Sequence, residues 1–186
     1  MHSAVTTRPR RAGRLLVPAA AGAVVAVALG VYGTQHTPGK LGYHLGFSTM
    51  FAMKVWLAVA VGVLAVLQLL SALWMWRKLP LVGAPPRWIG AAHRTTGTLA
   101  FLVSLPVAYQ CLYALGFQHY STRVLLHSLA GCLFYGAFVT KLLALRTTRL
   151  PGWALPVVGG TLFTALVSVV LLSAGYTLAT SGSPGY

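Results

Sequence analysis

Long apolar segments separated by short polar breaks dominate the chain. Five of these segments reach the ~20 residues that a transmembrane helix needs, and they lie at about 15–34, 50–76, 89–117, 124–145 and 153–178. Proline, glycine and basic residues occupy the breaks between them. We therefore predict an all-α integral membrane protein with five transmembrane helices, of which helices 2–5 form a four-helix bundle. A basic tail at 1–14 precedes this membrane domain (15–178), and a flexible tail at 179–186 follows it.

The composition excludes several classes of function. The chain is 57% hydrophobic, only 8% of its residues are charged, and it contains no Asp or Glu. Carboxylate metal sites, carboxylate acid–base catalysis and a Ser-His-Asp triad are therefore excluded. Chemistry must rest on the six His, the two Cys, Tyr or a bound cofactor. A single Ile, no Asn and more Arg than Lys are typical of a GC-rich bacterial genome, so we predict a bacterial inner-membrane protein.

The basic residues predict the orientation of the helices. Three of them, Lys40, Lys54 and Arg123, fall on one side of the predicted membrane domain. The other eleven fall on the opposite side, namely Arg8, Arg10, Arg11, Arg14, Arg77, Lys78, Arg87, Arg94, Lys141, Arg146 and Arg149. Basic residues concentrate in cytoplasmic loops, so we predict a cytoplasmic N-terminus and an external C-terminus. The net charge of +14 is interpreted as topology and attraction to lipid, not as nucleic-acid binding.

Reporter fusions test this orientation. Fusions after Arg77 and after Arg149 are expected to report a cytoplasmic location, and a fusion at Tyr186 an external one, because of the positive-inside distribution. An external signal from the fusion after Arg149 would contradict the predicted topology.

Helix 1 has a second interpretation. A basic segment followed by an apolar run and small residues at Val31 and Gly33 also resembles a cleaved signal peptide. The apolar run is long for a signal peptide, so we predict a retained helix. Helices 2–5 form the four-helix core in either case.

Two histidines inside the predicted helices share a local pattern. His93 is followed four residues later by Gly97, and His127 by Gly131. Positions i and i+4 lie on the same helix face, so glycine leaves space beside the imidazole. A flat porphyrin fits such a space, and so does a neighbouring helix. Neutral imidazole is a common ligand of b-type haem, and helix bundles hold cofactors between facing helices.

Depth in the membrane limits which histidines can share one haem. His93 lies one turn from the predicted cytoplasmic end of helix 3, whereas His127 lies one turn from the external end of helix 4. His44, just before helix 2, lies at a depth similar to that of His127. We therefore predict one low-spin haem b between helices 2 and 4, with His44 and His127 as its iron ligands. For His93 we predict a hydrogen bond that packs helix 3, the alternatives being a vestigial haem site or a His–Lys haem with Lys141.

Cations in or near the helices require an anion or access to water, because no acidic residue is present. Arg94 lies beside His93 and suits a haem propionate; Arg123 and Lys40 suit a propionate on the external side. Lys54 and Lys141 likewise need an anion or access to water. Snorkelling to lipid headgroups is the alternative for each cation. The two thiols, Cys111 and Cys132, are interpreted as inert, with a disulfide possible only if they face each other.

Four stretches carry a resemblance to a known family. They are His93-Arg94-Thr95-Thr96-Gly97, the run from Ser104 to Tyr113, and Arg123 to Leu129 followed by Phe134 to Phe138. Together they resemble an uncharacterised family of bacterial five-helix membrane proteins, which in turn resembles cytochrome b561 and ferric-reductase-like haem proteins. The resemblance implies His at the position of Gln110, as a second external ligand facing His127. Gln at this position either weakens haem binding or shifts the ligand role to His44.

Three functions compete at this point. The first is a b-type haem protein that transfers electrons within the membrane, as an isolated cytochrome or as a subunit of a membrane oxidoreductase, with a quinone or a partner redox subunit as electron partner. The second is a cofactor-free accessory or assembly subunit. The third is an external metal site built from His36, His44, His119 and His127. Whether the chain is itself an enzyme stays open.

Overall fold

The computed structural model describes residues 11–39, 42–182 and 184, so Arg8, Arg10, Lys40 and Tyr186 lie outside the described residues. A 3-10 turn at Arg11–Leu15 leads into the first helix, and two π-helical turns lie at Gln110–Ala114 and Leu171–Gly175. The α-helices are α1 Leu16–Gln35, α2 Met50–Met75, α3 Ile89–Tyr109, α4 Thr122–Arg146, α5 Ala154–Val170 and α6 Tyr176–Ser181.

Five helical spans are long and apolar enough to cross a membrane, which confirms the predicted fold class. The third span ends at Ala114, three residues before the predicted end at 117, because it closes in a π turn. The fifth span comprises α5, the second π turn and α6, and it runs to Ser181. Residues 179–181, assigned to the flexible tail from the sequence, are therefore helical, since Thr180 still bonds back to the carbonyl of Tyr176.

Two helix starts are fixed by side-chain caps on the same end of the bundle. Thr49 accepts a hydrogen bond from the Ala52 amide at 3.0 Å, and Ser121 accepts one from the Val124 amide at 3.3 Å. Such caps satisfy amides that have no partner within the helix. Because α2 begins only after Thr49, the residues before it, including His44, belong to the loop between α1 and α2.

Helices α2, α3, α4 and α5 form the predicted four-helix bundle. Backbone packing joins α2 to α3, α2 to α5, and α4 to α5. The apolar core of the bundle contains Val61, Ala65, Phe134, Ala165 and Leu166. Large apolar side chains on the outside of the bundle are exposed, as expected where a helix faces lipid.

Side chains bridge the wider separation between α3 and α4. Phe101 of α3 stacks on Phe138 of α4, with ring centroids 4.1 Å apart. Ser104 of α3 and Tyr135 of α4 share a hydrogen bond of 2.9 Å. This spacing leaves room between the two helices at one end of the bundle.

Helix α1 lies outside the bundle and packs closely on α4. Gly22 and Gly136 are both buried at this crossing. A Cβ atom on Gly136 would lie 2.5 Å from the carbonyl oxygen of Gly22 and 2.8 Å from the Cβ of Ala26. Small residues permit this approach of two helices in a membrane.

The two ends of the bundle differ in character. One end contains the start of α1 and the loops that hold Arg77, Arg87 and Arg149. We call it the arginine-rich end. Arg14 donates a hydrogen bond to the carbonyl of Thr148 there. The opposite end contains the loops between α1 and α2 and between α3 and α4. We call it the cavity end, after the cavity described in the next section.

Candidate cofactor site in the helix bundle

A cavity of about 320 Å³ lies among α2, α3, α4 and the end of the fifth span, at the cavity end. Ligand pockets in proteins generally measure ~300–1,000 Å³. Phe51 and Tyr120 line this cavity and are 52% and 76% exposed, so the cavity opens to the outside and admits a ligand larger than its enclosed volume. Most of its wall is apolar. The polar side chains in the wall are Lys54, Ser104, Gln118, Tyr120, Arg123, His127, Ser128, Tyr135, Ser173 and Thr177.

Both π-helical turns form part of the cavity wall. Cys111 and Leu112 contribute from the first turn, and Leu172, Ser173 and Ala174 from the second. Each turn breaks the regular α-helical bonding pattern and releases backbone carbonyls. Such turns occur frequently at functional sites.

Proline accompanies the first π turn. Pro106 lies inside α3 and cannot donate the amide hydrogen bond that a helix requires at its position. Four residues later the helix changes to π bonding, in which the Leu115 amide reaches the carbonyl of Gln110 at 3.1 Å. The chain therefore loosens where it borders the cavity.

The second π turn supplies acceptors to α4. The carbonyl of Leu172 accepts a hydrogen bond from the Arg123 guanidinium at 2.6 Å. The carbonyl of Val169, just before the turn, lies 3.2 Å from Nδ1 of His127. A carbonyl can only accept, so Nδ1 carries the hydrogen and Nε2 carries the lone pair of the neutral ring. A metal-binding histidine is typically oriented by this kind of bond to a backbone carbonyl.

The surroundings of His127 leave its other side open. Gly131, one turn further along α4, also lines the cavity, and no atom lies within 4 Å of the position that a Cβ would occupy there. The structure thus places His127 and Gly131 together in one cavity, with Nε2 as the ring nitrogen available to a ligand.

Two cations lie in the same wall. Lys54 is partly buried and has no hydrogen-bond acceptor in the described part of the chain. Arg123 is partly buried too, and its guanidinium lies 4.0 Å from the centre of the Tyr176 ring. With no carboxylate anywhere in the sequence, an anionic ligand is the natural partner for both charges.

Comparison with known families places almost the whole chain in one family. A family model described as a family of unknown function (DUF6529) matches residues 15–185. The chain belongs to this family. No curated protein and no solved structure matches the chain. The match confirms that the chain belongs to an uncharacterised family.

His44, predicted as the second iron ligand, does not reach the cavity. It is exposed in the loop between α1 and α2, and it is not among the residues that line the cavity. The structure therefore does not bring His44 and His127 together. Equal depth in the membrane was the basis of the pairing, but depth does not determine the direction of a side chain.

Gln110 also faces away from His127. It is completely buried, its Nε2 donates to the carbonyl of Tyr43 at 2.9 Å, and its Oε1 has no hydrogen-bond partner. The cavity face of α3 passes through Ser104, Ala108 and Cys111, which are separated by four and three residues. Gln110 lies beside this face, against the α1–α2 loop.

His93 lies in a separate polar cluster towards the arginine-rich end. Its Nδ1 shares a hydrogen bond of 2.8 Å with the hydroxyl of Ser71 on α2. Gln68 of α2 donates to the carbonyl of His93 at 2.5 Å and to Thr96 at 2.6 Å. The predicted interhelical hydrogen bond of His93 is therefore present.

The space beside Gly97 is filled. A Cβ on Gly97 would lie 3.1 Å from Oε1 of Gln68, so this glycine accommodates a neighbouring side chain rather than an open cofactor site. We did not predict a role for Gln68 from the sequence, although a polar residue inside an apolar helix indicates function or packing. Arg94 is exposed and is not part of the cavity wall.

The remaining candidates are dispersed. No group of three or more His or Cys side chains converges to hold a metal ion within the residues that the structure describes, so the expected external metal site lacks support. His119 is exposed, and His36 lies between two tyrosine rings. Cys111 and Cys132 are both free thiols.

The contact between Ser71 and His93 can be measured by a double-mutant cycle. We expect a coupling free energy of about 0.6–2 kcal/mol between Ser71→Ala and His93→Ala, because either change removes the same interhelical bond. Stability is measured by thermal unfolding in detergent. The pair Thr98→Ala and His93→Ala is the control, since Thr98 is exposed on the same helix. Additive effects of the first pair would contradict the assigned bond.

Proposed function

We propose that this protein is a membrane-embedded b-type haem protein that transfers electrons within the bilayer. The observation that carries the proposal is the cavity in which His127, Gly131, Lys54 and Arg123 occur together. When bound, haem supplies a one-electron iron couple. A quinone in the bilayer or a partner redox subunit is the proposed electron partner, and the bacterial inner membrane, with a cytoplasmic N-terminus, is the proposed location.

The chemistry of the wall fits this cofactor. His127 presents Nε2 as a neutral nitrogen ligand, because the carbonyl of Val169 holds Nδ1. Gly131 provides the open space beside the ring that a flat macrocycle requires. His127 is the ligand that this geometry supports, and His44 has no part in it.

The two cations fit the acidic groups of the cofactor. Lys54 and Arg123 lie in the wall of the same cavity as His127, where they would hold the propionates. Arg123 uses one nitrogen to bond Leu172, and its other N–H donors remain for an anion. The apolar remainder of the wall would exclude water from the macrocycle.

The direct test is the absorption spectrum of the purified full-length protein, before and after incubation with haemin. We expect a Soret band and at most one haem b per chain by pyridine haemochrome quantification. Gly131→Leu is expected to reduce haem binding strongly, because the leucine would fill the open space, whereas Gly160→Leu, on the open outer side of α5, is the control. A protein that stays colourless after incubation with haemin would contradict the proposal.

A further inference from the structure

Five aromatic rings form a continuous stack at the cavity end of the molecule. They are, in spatial order, Tyr32, His36, Tyr113, Tyr109 and Tyr43. Successive ring centroids are 4.8, 4.8, 5.1 and 5.3 Å apart, with interplanar angles of 13°, 30°, 19° and 33°. We call this set the aromatic stack.

The aromatic stack differs from the other near-parallel contact described above, Phe101 on Phe138 at 8°, because it joins five rings and four of them are phenols. Trp74 and Trp88 meet at 88°, and Phe134 and Tyr135 at 74°. Edge-to-face pairs of this kind are common in protein interiors. Overlapping parallel faces instead bring the π orbitals of neighbouring rings into contact, which favours electron exchange between them.

Hydrogen bonds hold the three chain segments of the aromatic stack in register. The Gly39 amide donates to the carbonyl of Tyr113 at 3.0 Å. Gln110, which is completely buried, donates to the carbonyl of Tyr43 at 2.9 Å. The Phe117 amide donates to the carbonyl of Gly33 in α1 at 2.7 Å. The end of α1, the following loop and the end of the third span are thereby joined to one another.

The members of the aromatic stack suit one-electron chemistry. A phenol that loses one electron and its hydroxyl proton becomes a neutral tyrosyl radical, and four of the five rings are phenols. His36, in the interior of the stack, has a buried Nε2 without a hydrogen-bond partner, which can accept such a proton. Tyr32 is 44% exposed and Tyr109 is 37% exposed, so the stack is open to reactants outside.

We propose that the aromatic stack is a redox relay that carries oxidising equivalents along the cavity end of the protein. A diffusible one-electron oxidant removes an electron from one tyrosine, and the hydroxyl proton of that tyrosine passes to water or to His36. Within the run Tyr113, Tyr109 and Tyr43, the neighbouring tyrosine then gives an electron and a proton to this radical, so the radical moves by one position. Between Tyr32 and Tyr113 the electron passes His36, which lies between the two rings. A hydrogen-atom donor such as a quinol or a thiol finally restores the last tyrosine.

The relay runs beside the cavity. Tyr109 and Tyr113 share their helical turns with Ala108, Cys111 and Leu112, which line the cavity. The relay can therefore exchange electrons with a redox-active cavity ligand, but its evidence is the ring geometry alone, and it does not depend on haem.

The test uses the full-length protein in phosphatidylcholine nanodiscs with a photogenerated ruthenium(III) polypyridyl complex as the one-electron oxidant. Radicals are trapped by freezing and detected by electron paramagnetic resonance, and dityrosine links are mapped by mass spectrometry. A dityrosine link needs two one-electron oxidations and the loss of two protons, so illumination is continued until two radicals form in one molecule. We expect a Tyr109–Tyr113 link as the main product, although Tyr120, outside the stack, is far more exposed at 76%.

Two matched substitutions complete the test. Tyr109→Phe keeps a ring of the same size but removes the oxidisable phenol, so oxidation at Tyr113 should fall and oxidation at Tyr120 should rise. Tyr120→Phe is the control and should leave the products within the stack unchanged. Tyr113→Phe is a second variant in case Tyr109→Phe lowers the melting temperature. Oxidation that follows solvent exposure, with Tyr120 dominant and no response to Tyr109→Phe or Tyr113→Phe, would overturn the relay.

Discussion

Replacement of His127 by Ala is expected to abolish the Soret band of the purified protein. The imidazole is the nitrogen donor that the cavity presents, and Ala leaves the iron without it. Binding through propionates and apolar contacts alone would leave at most weakly held, high-spin haem. The absorption spectrum and the pyridine haemochrome of protein purified in parallel measure this loss.

Two controls separate loss of a ligand from loss of the fold. His44→Ala and His93→Ala should both keep the number of bound haems, because neither residue lines the cavity; His93→Ala should only lower thermal stability. Imidazole added to the buffer should restore the band of His127→Ala, since it can occupy the vacated space. A full spectrum in His127→Ala, with haem present in the parent protein, would show that another residue ligates the iron.

Alanine at Gly22 or Gly136 is expected to displace α1 from α4. A methyl group on either glycine would overlap the backbone of the facing helix. A helical backbone cannot relieve this overlap by changing rotamer, as a flexible side chain can. Overpacking typically costs ~1–3 kcal/mol, and we expect the upper part of this range or more. Thermal unfolding in detergent measures the change. Gly160→Ala in α5 is the matched control, because nothing lies within 4 Å of its Cβ position.

A disulfide provides a direct readout of the same contact. A Cβ on Gly30 of α1 would lie 3.9 Å from Sγ of Cys132 on α4, so Gly30→Cys should form a link to Cys132 under oxidation. Mass spectrometry of the linked peptides detects it. The link should persist with Gly160→Ala and be lost with Gly22→Ala. No link in the otherwise unchanged Gly30→Cys protein would mean that α1 does not pack on α4, as in a cleaved signal peptide.

The transmembrane spans could be predicted from the sequence because they depend on local properties. Each requires only a long apolar run, and the breaks at residues such as Pro80 and Pro151 are visible in the chain. That His127 and Gly131 lie on one helix face could be predicted for a similar reason, since it follows from their spacing of four residues. The cavity around them depends on the tertiary packing of four helices and was not predictable from one sequence.

The sequence could not show that His44 and Gln110 lie outside the cavity wall, for a physical reason. His44 and His127 lie at the same end of the bundle, but the cap at Thr49 starts α2 after His44 and leaves it in the loop. Gln110 misses the cavity face of α3 by one residue, which corresponds to about 100° around a helix. The π turns have no hydrophobic period of their own, so the sequence did not indicate them.

The cationic wall of the cavity also affects the energetics of any redox-active ligand bound there. Adding an electron to a ligand adds negative charge, which Lys54 and Arg123 stabilise through a medium of low dielectric constant. No Asp or Glu side chain exists in the chain to oppose them. A redox-active ligand in this cavity would therefore have a raised reduction potential, which would favour the role of electron acceptor over that of donor.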